Sequence, residues 1–343
     1  MNKKAIGILA CVIVLVCAAV FGGIYATRNI GKSEKVISEE SAEKRLSRMV
    51  DKINPDTGVP VKSPIEYDSV DDEANELPDI DTCKVQVKAE TSLYAEIFSS
   101  PEKAGSGTDG WLNEMASEFN AQGFQVDGQT VSVQIRNVNS GQALDYIATG
   151  KAVPEGFAPS SILWVDMLNA KGTTTETISE SLVGNVAGIL LSKETNAQIV
   201  EKYGSVDLKA ITEATEAGEF AMGYTNPFAS SAGLNFLICT LERYDLNNPL
   251  SETATAGFQK FQKNVPFVAL TTMQMREAAE NGSLDGFIME YQSYTNDTML
   301  SNNYTFTPYG YRHDNPLVCV DSISPEKKEI LNLFAKFCAS DKA

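Results

Sequence analysis

Residues 131–151 read VSVQIRNVNSGQALDYIATGK. Val131, Val133 and Ile135 alternate with polar neighbours, which is the period of a half-buried strand. After Asn137 the period changes, and Ala143, Leu144 and Ile147 recur at helical spacing. Asn139-Ser140-Gly141 stands at the junction as a helix start, where the first backbone N–H groups lack intrahelical partners. A strand that feeds such a start predicts one half of a βαβ unit.

The same grammar continues on both sides. Upstream, Val85 and Val87 alternate with Lys84, Gln86 and Lys88, and a helix is predicted over Trp111–Ala121 with Leu112, Met115, Ala116 and Phe119 on one face. Downstream, Val183–Leu191 reads as a buried strand, Ala221–Tyr224 as a short one, and Ser231–Leu241 as a helix. Helical patterns at Phe258–Lys263 and Met273–Asn281 follow, then strands Asp285–Tyr291 and Leu317–Val320. The last helix, Pro325–Ala339, begins with Ser324 as cap and proline in the first turn. This order predicts an α/β fold with mostly parallel pairing, and no internal repeat is visible.

Composition narrows the function. The 343 residues include 45 acidic and 28 basic side chains, a formal charge of −17, which argues against a nucleic-acid partner. His313 is the single histidine, and Cys83, Cys239, Cys319 and Cys338 show no paired metal-ligand spacing, so no metal or cofactor is expected. Disulfide pairing among these four stays open. Gly105, Gly107 and Gly110 lack the GxxxxGK[ST] phosphate-loop pattern and read as a flexible loop.

The first 81 residues read differently. Lys3 and Lys4 precede an apolar run from Ala5 to Ala26, long enough for a membrane-crossing helix, so residues 1–30 are expected to be a signal peptide or transmembrane anchor. Ile24 and Cys17 occupy positions where a cleavage site favours small residues, and Val16 before Cys17 does not suit lipidation. Residues 31–81 are polar and acidic, with Pro55, Pro60, Pro64 and Pro78, and read as a flexible stalk with one short helix near Ser41–Lys52. The acidic run Asp68–Glu76 lacks the ligand alternation and turn glycine of a calcium loop.

Catalytic patterns are sparse. Ala229-Ser230-Ser231-Ala232-Gly233 is a degenerate nucleophile elbow with His313 as nominal base, which leaves a serine hydrolase as one alternative. More prominent are Ser and Gly residues at helix starts directly after strands, at Ser140-Gly141 and at Ser230-Ser231. Such starts can hold a polar ligand group through backbone N–H groups and hydroxyls, although ordinary capping accounts for any single serine.

Three segments resemble type II bacterial extracellular solute-binding proteins of the kind that serve ABC transporters. Residues 223–234, GYTNPFASSAGL, are similar to that family's T-D/N-P-x-x-S-x-x-G turn, and residues 131–151 to its strand and A-L-x-x-I-x-x-G-K helix. Residues 159–164, PSSILW, match a P-S-S-x-x-W signature. The resemblance runs in order from Cys83 to Ala339. It implies a two-lobed fold with two crossover strands, a ligand in the cleft and hinge closure on binding. Lobe 1 would comprise residues 82–180 plus 292–343 and lobe 2 residues 181–291, with crossovers at Val183–Leu191 and Ile288–Tyr294.

The resemblance further implies a ligand contacted by Thr91, Ser92, Ser140, Gly141, Ser160, Ser161, Thr225, Asn226, Ser230, Ser231, Glu290 and Tyr291. It implies no catalysis, a small-molecule solute, a membrane permease or other membrane partner, and a place on the extracellular side of the cell membrane. Two departures leave the ligand open: Glu90-Thr91-Ser92 stands where Ser-Ser is common, and Gly156-Phe157-Ala158 replaces Pro-Asp before PSS. A ligand-independent adhesion or scaffold domain on the same fold is the other alternative.

Overall fold

The computed structural model describes residues 77–321 and 323–340. The apolar run Ala5–Ala26, the helix near Ser41–Lys52 and the acidic run Asp68–Glu76 lie outside the described residues. Ordered contacts begin before Cys83: Leu77 and Ile80 pack on apolar core, and Tyr146 Oη donates to the Pro78 carbonyl at 2.8 Å.

The first sheet forms from strands β1 (Val85–Val87), β2 (Leu93–Ser99), β3 (Gln125–Val126), β4 (Gln129–Asn137), β5 (Gly156–Ala158) and β6 (Thr175–Ser179), with a later strand added. Between them lie α1 (Pro101–Ala104), α2 (Trp111–Gln122), α3 (Ser140–Ala148) and α4 (Ile162–Ala170). The strand order β1-β4-β2-β5, then a returning strand, then β6, puts β2 parallel to both β4 and β5. β1 is the short antiparallel edge beside β4.

The chain then crosses to a second, five-stranded sheet. Its elements are β7 (Asn185–Ser192), α5 (Lys193–Tyr203), α6 (Leu208–Glu216), β8 (Met222–Thr225), α7 (Ser231–Tyr244), α8 (Glu252–Gln262), β9 (Phe267–Ala269), α9 (Thr272–Glu280), β10 (Gly286–Glu290), α10 (Tyr291–Thr295), α11 (Thr298–Asn303) and β11 (Tyr304–His313). The order is β11-β7-β10-β8-β9, with β10, β8 and β9 parallel. β12 (Leu317–Val320) rejoins the first sheet between β5 and β6, and α12 (Pro325–Cys338) closes the described chain.

Two connections therefore join the sheets, at residues 180–184 and 314–316. They lie side by side: Leu182 N–H donates to the Asn315 carbonyl at 2.9 Å, and Asn315 Nδ2 donates to the Val183 carbonyl at 2.8 Å. The return crossing is not at Ile288–Tyr294 as expected. β10 is a central strand of the second sheet, and the chain runs back through β11, which pairs with β7 although sequence reading grouped residues 292–343 with the first lobe.

Helices cover both faces of each sheet, which lets alternate strand residues enter separate cores. Ile97, Val131, Val133 and Ile135 pack against α2 and α12, while Phe98 and Val318 face Ile147 of α3 and Trp164 of α4. In the second sheet Ile189 and Leu191 meet Ile211, Phe236 and Phe261, and Leu190 meets Met275 and Leu300 on the other face. Among the described residues, Cys83, Cys239, Cys319 and Cys338 form no disulfide with one another.

Candidate functional site

The parallel strands of both sheets end toward one cavity. Their following segments supply Glu102 and Asp109 after β2, Ser140 after β4, Ser230 after β8, Arg276 after β9 and Ser293 after β10. This is the position at which open α/β sheets gather ligand groups, outside the carboxyl ends of the strands. The cavity comprises ≈ 380 Å³ of empty space, part of it open to solvent, and is narrow, with room for little more than one water molecule.

On the first-sheet side, Ser100 and Ser160 hydroxyls lie 2.6 Å apart, both buried. Lys103 Nζ donates to Ser100 Oγ at 2.7 Å, and Ser160 Oγ donates to the Glu102 carboxylate. Lys103 is fully buried, and that burial pushes its ammonium down to about 8. Ser140 opens α3 behind its cap Asn139, and Ser140 Oγ accepts from Ser160 N–H at 3.4 Å.

On the second-sheet side, Ser230 caps α7 by position but makes no side-chain cap bond. Ser230 Oγ and Ser293 Oγ line or border the cavity, are almost wholly buried, and have no hydrogen-bond partner among the described residues. Thr225, fully buried at the end of β8, has an equally unpartnered hydroxyl. Glu290 closes β10 with no exposure, and its Oε2 accepts from Thr272 Oγ1 at 2.9 Å while Oε1 is unpartnered. Burial, with the Glu102 charge next, pushes the Glu290 carboxyl up to about 8.

Contacts cross directly between the two walls. Gly141 N–H donates to the Ala229 carbonyl at 3.3 Å, and Trp164 Nε1 donates to Ser231 Oγ at 2.8 Å. The Arg276 guanidinium reaches Asp109 Oδ2 at 3.2 Å, and Gln292 Nε2 donates to the Glu102 carbonyl at 2.9 Å. The two walls are therefore in contact, with the cavity held between them.

Of the residues singled out in the sequence, Ser140, Gly141, Ser160, Ser230, Ser231 and Glu290 gather at or around this cavity. Ser161 caps α4 through Leu163 N–H, Thr225 sits at a strand end nearby, and Asn226 serves its own turn by accepting from Phe228 N–H at 2.9 Å. Thr91 and Ser92 are misplaced in the expectation. They precede β2, so that strand, spanning roughly 20 Å at the usual rise, separates them from its carboxyl end, and Thr91 Oγ1 is spent on Leu93 and Ser132. Tyr291 is 49 % exposed, packs its ring on Phe306 at 5.1 Å, and is not among the residues that line the cavity.

The sequence reading missed Ser100, Glu102, Asp109, Thr272, Arg276 and Ser293. Ser99-Ser100-Pro101 carried a usable signal, a serine pair followed by proline at a helix start. The hydrolase arrangement does not assemble: Ser231 Oγ is bonded to Trp164, and His313 Nε2 stands 3.5 Å from Asn235 Nδ2. Burial pushes His313 down to about 4. Among the described residues, no group of three His, Cys, Asp or Glu side chains is placed to hold a metal ion, and no helix is long and apolar enough to cross a membrane.

The sequence profile described as bacterial extracellular solute-binding protein matches residues 104–343. The chain belongs to that family. Several solved structures share its fold. A periplasmic thiamin binding protein is similar in fold at 12 % identity and a TM-score of 0.54, covering 72 % of this solute-binding protein and 78 % of that chain. The sulfate-binding protein SubI from Mycobacterium tuberculosis H37Rv gives 14 % identity and a TM-score of 0.51 over 73 % of this chain and 83 % of its own. Iron-bound HitA from Pseudomonas aeruginosa gives 12 % and 0.52 over 73 % and 82 %. At these identities the likeness is one of fold alone. Comparison with curated protein sequences found no match.

Proposed function

We propose that this protein captures a small polar solute in the cavity between its two sheets and hands it to a membrane permease on the extracellular side of the cell membrane, with the N-terminal apolar segment as tether or signal. The sheets and their helices act as two lobes, about residues 77–180 with 317–340 and about residues 185–313, hinged at the paired connections. Solute entry requires the lobes to part, because direct bonds such as Gly141 N–H to the Ala229 carbonyl span the walls.

The observation that carries this reading is the pair of unpartnered hydroxyls, Ser230 Oγ and Ser293 Oγ, buried beside one cavity. A buried hydroxyl without a partner costs about 1–3 kcal/mol, which a bound solute would recover. Thermal-shift screening of the protein against oxyanions, sugars, amino acids, amines and peptides tests it. A true ligand at 100 times its Kd stabilises by about 2.7 kcal/mol. Absence of stabilisation by every class would overturn the reading.

A further inference from the structure

The cavity has a charge preference built into its walls. Glu102 and Asp109 line it, and Glu290 is buried behind Thr272. Arg276 is the one cationic side chain among the lining residues; its Nη2 pairs with Asp109 at 3.2 Å, and its Nε lies 3.9 Å from Asp297 without a hydrogen bond.

The hydroxyls on the first-sheet side are also committed. Lys103 has only donors, so Ser100 Oγ accepts from it, and the Glu102 carboxylate has only acceptors, so Ser160 Oγ donates to it. Each serine has a single proton, which orders the chain as Lys103 to Ser100 to Ser160 to Glu102. No proton of Ser100 or Ser160 is left for an incoming anion, and Glu102 already occupies the end of the chain. What stays unfilled are the hydroxyls of Ser230 and Ser293, which can accept from a ligand as well as donate, Glu290 Oε1, which becomes a full acceptor on losing its proton, and Arg276 Nε. The preference therefore rests on charge, Glu102 and Asp109 against the one lining cation Arg276.

We propose that, when the walls part enough to make room, the cavity takes a small organic ammonium, with N–H groups directed to Glu102 and to the hydroxyls of Ser230 and Ser293, and its hydrocarbon part against Leu270 and Met273. This assignment rests on the solute-binding reading and names the ligand class within it. Glu290 adds a second negative charge when the ligand arrives. Its carboxyl, held up to about 8, faces Glu102 and Asp109, which raise it further, and Tyr309, which burial keeps in its neutral form. His313, near Glu102 and pushed down to about 4, is neutral across the relevant range. Loss of the Lys103 proton near pH 8 acts in the same direction, since it too makes the site more negative. Ammonium affinity therefore rises as pH climbs from about 6.5 toward 8.5, and binding releases protons at the lower end.

The test is calorimetric titration of the protein, in an amine-free buffer, with ethanolamine and putrescine, alongside sulfate, molybdate and glucose. Binding of ethanolamine or putrescine, tightening at higher pH and weakened at least tenfold by Glu102→Gln, supports the assignment. Gln keeps an oxygen acceptor for Ser160, and far-UV circular dichroism verifies that the variant is folded. Binding of sulfate, molybdate or glucose without either amine overturns the ligand class and leaves the solute-binding reading standing. If none of the wider solute classes binds either, both fall.

Discussion

Trp164 Nε1 donates to Ser231 Oγ at 2.8 Å, joining a helix packed on the first sheet to the start of a helix packed on the second. Both groups are buried, so the bond is made in a place where either partner alone would lack water. It is one of few direct ties that must break for the walls to separate. Trp164→Phe keeps the ring and removes the donor, at a cost of about 1 kcal/mol to the closed form, roughly a fivefold shift in an open–closed balance. We expect a larger radius of gyration for the ligand-free variant by small-angle scattering and a correspondingly weaker affinity. An unchanged radius together with unchanged affinity would show that the bond does not report on closure.

Gly141 tests closure from the opposite direction. A Cβ built there meets the Phe228 carbonyl oxygen at 1.8 Å and its carbon at 2.7 Å, both backbone atoms that cannot rotate away. Within α3 itself alanine is the better residue, by about 1 kcal/mol. Gly141→Ala should therefore leave circular dichroism unchanged while preventing the walls from meeting. The expected readout is loss of every ligand-induced thermal shift in a protein that still melts cooperatively. A ligand response equal to that of the unaltered chain would contradict the closed arrangement.

Glu290 should leave its mark on stability against pH. Its carboxyl sits at about 8 instead of the ordinary 4.5, so between those values the folded chain holds a proton that the unfolded chain has released. Stability from this group is therefore greatest at low pH and falls by about 1.4 kcal/mol per unit as pH rises, levelling above 8. His313 has the opposite sign: with its folded value near 4 against 6.5, it costs stability on acidification through that window. The two nearly cancel between pH 4.5 and 6.5, and Glu290 acts alone above. Urea midpoints at pH 5.5, 6.5 and 8.5 should show Glu290→Gln gaining on the unaltered protein as pH rises, and a pH-independent difference would sink the assignment.

These sites were legible to different degrees, for reasons that lie in strand geometry. The helices at Trp111, Ser140, Ser231 and Pro325 carry their own start signals and apolar faces, so local sequence suffices. β2 was hidden because Lys84–Lys88 alternates more cleanly than Leu93–Ser99, whose run ending in Ile97, Phe98 and Ser99 is buried on both faces and shows little period. Taking the edge strand for the parallel one moved the expected serine pair from Ser99-Ser100 to Thr91-Ser92, the wrong end of a strand. β11 was missed because Pro308 and Gly310 interrupt it, features an edge strand tolerates and a central one does not. Arg276 and Asp109 lie 167 positions apart, and nothing local marks their meeting, which follows only from the order of strands in two sheets.

Ser230 and Ser293 separate a binding role from a packing role by the sign of their effect. Neither hydroxyl has a partner among the described residues, so replacing it with alanine removes an unsatisfied polar group from a buried place and should raise the melting temperature of the ligand-free protein. If the hydroxyls exist for a solute, the same changes weaken its binding, by about 1 kcal/mol each or roughly fivefold. Ser231→Ala supplies the contrast, because it strands the Trp164 N–H in the interior and should lower the melting temperature by an amount matching about 1–3 kcal/mol. Differential scanning calorimetry with and without ligand reads both signs in one experiment. A Ser230→Ala, Ser293→Ala double variant that melts lower than the unaltered protein would mean that these hydroxyls hold the fold, and the cavity would lose its strongest claim to a solute.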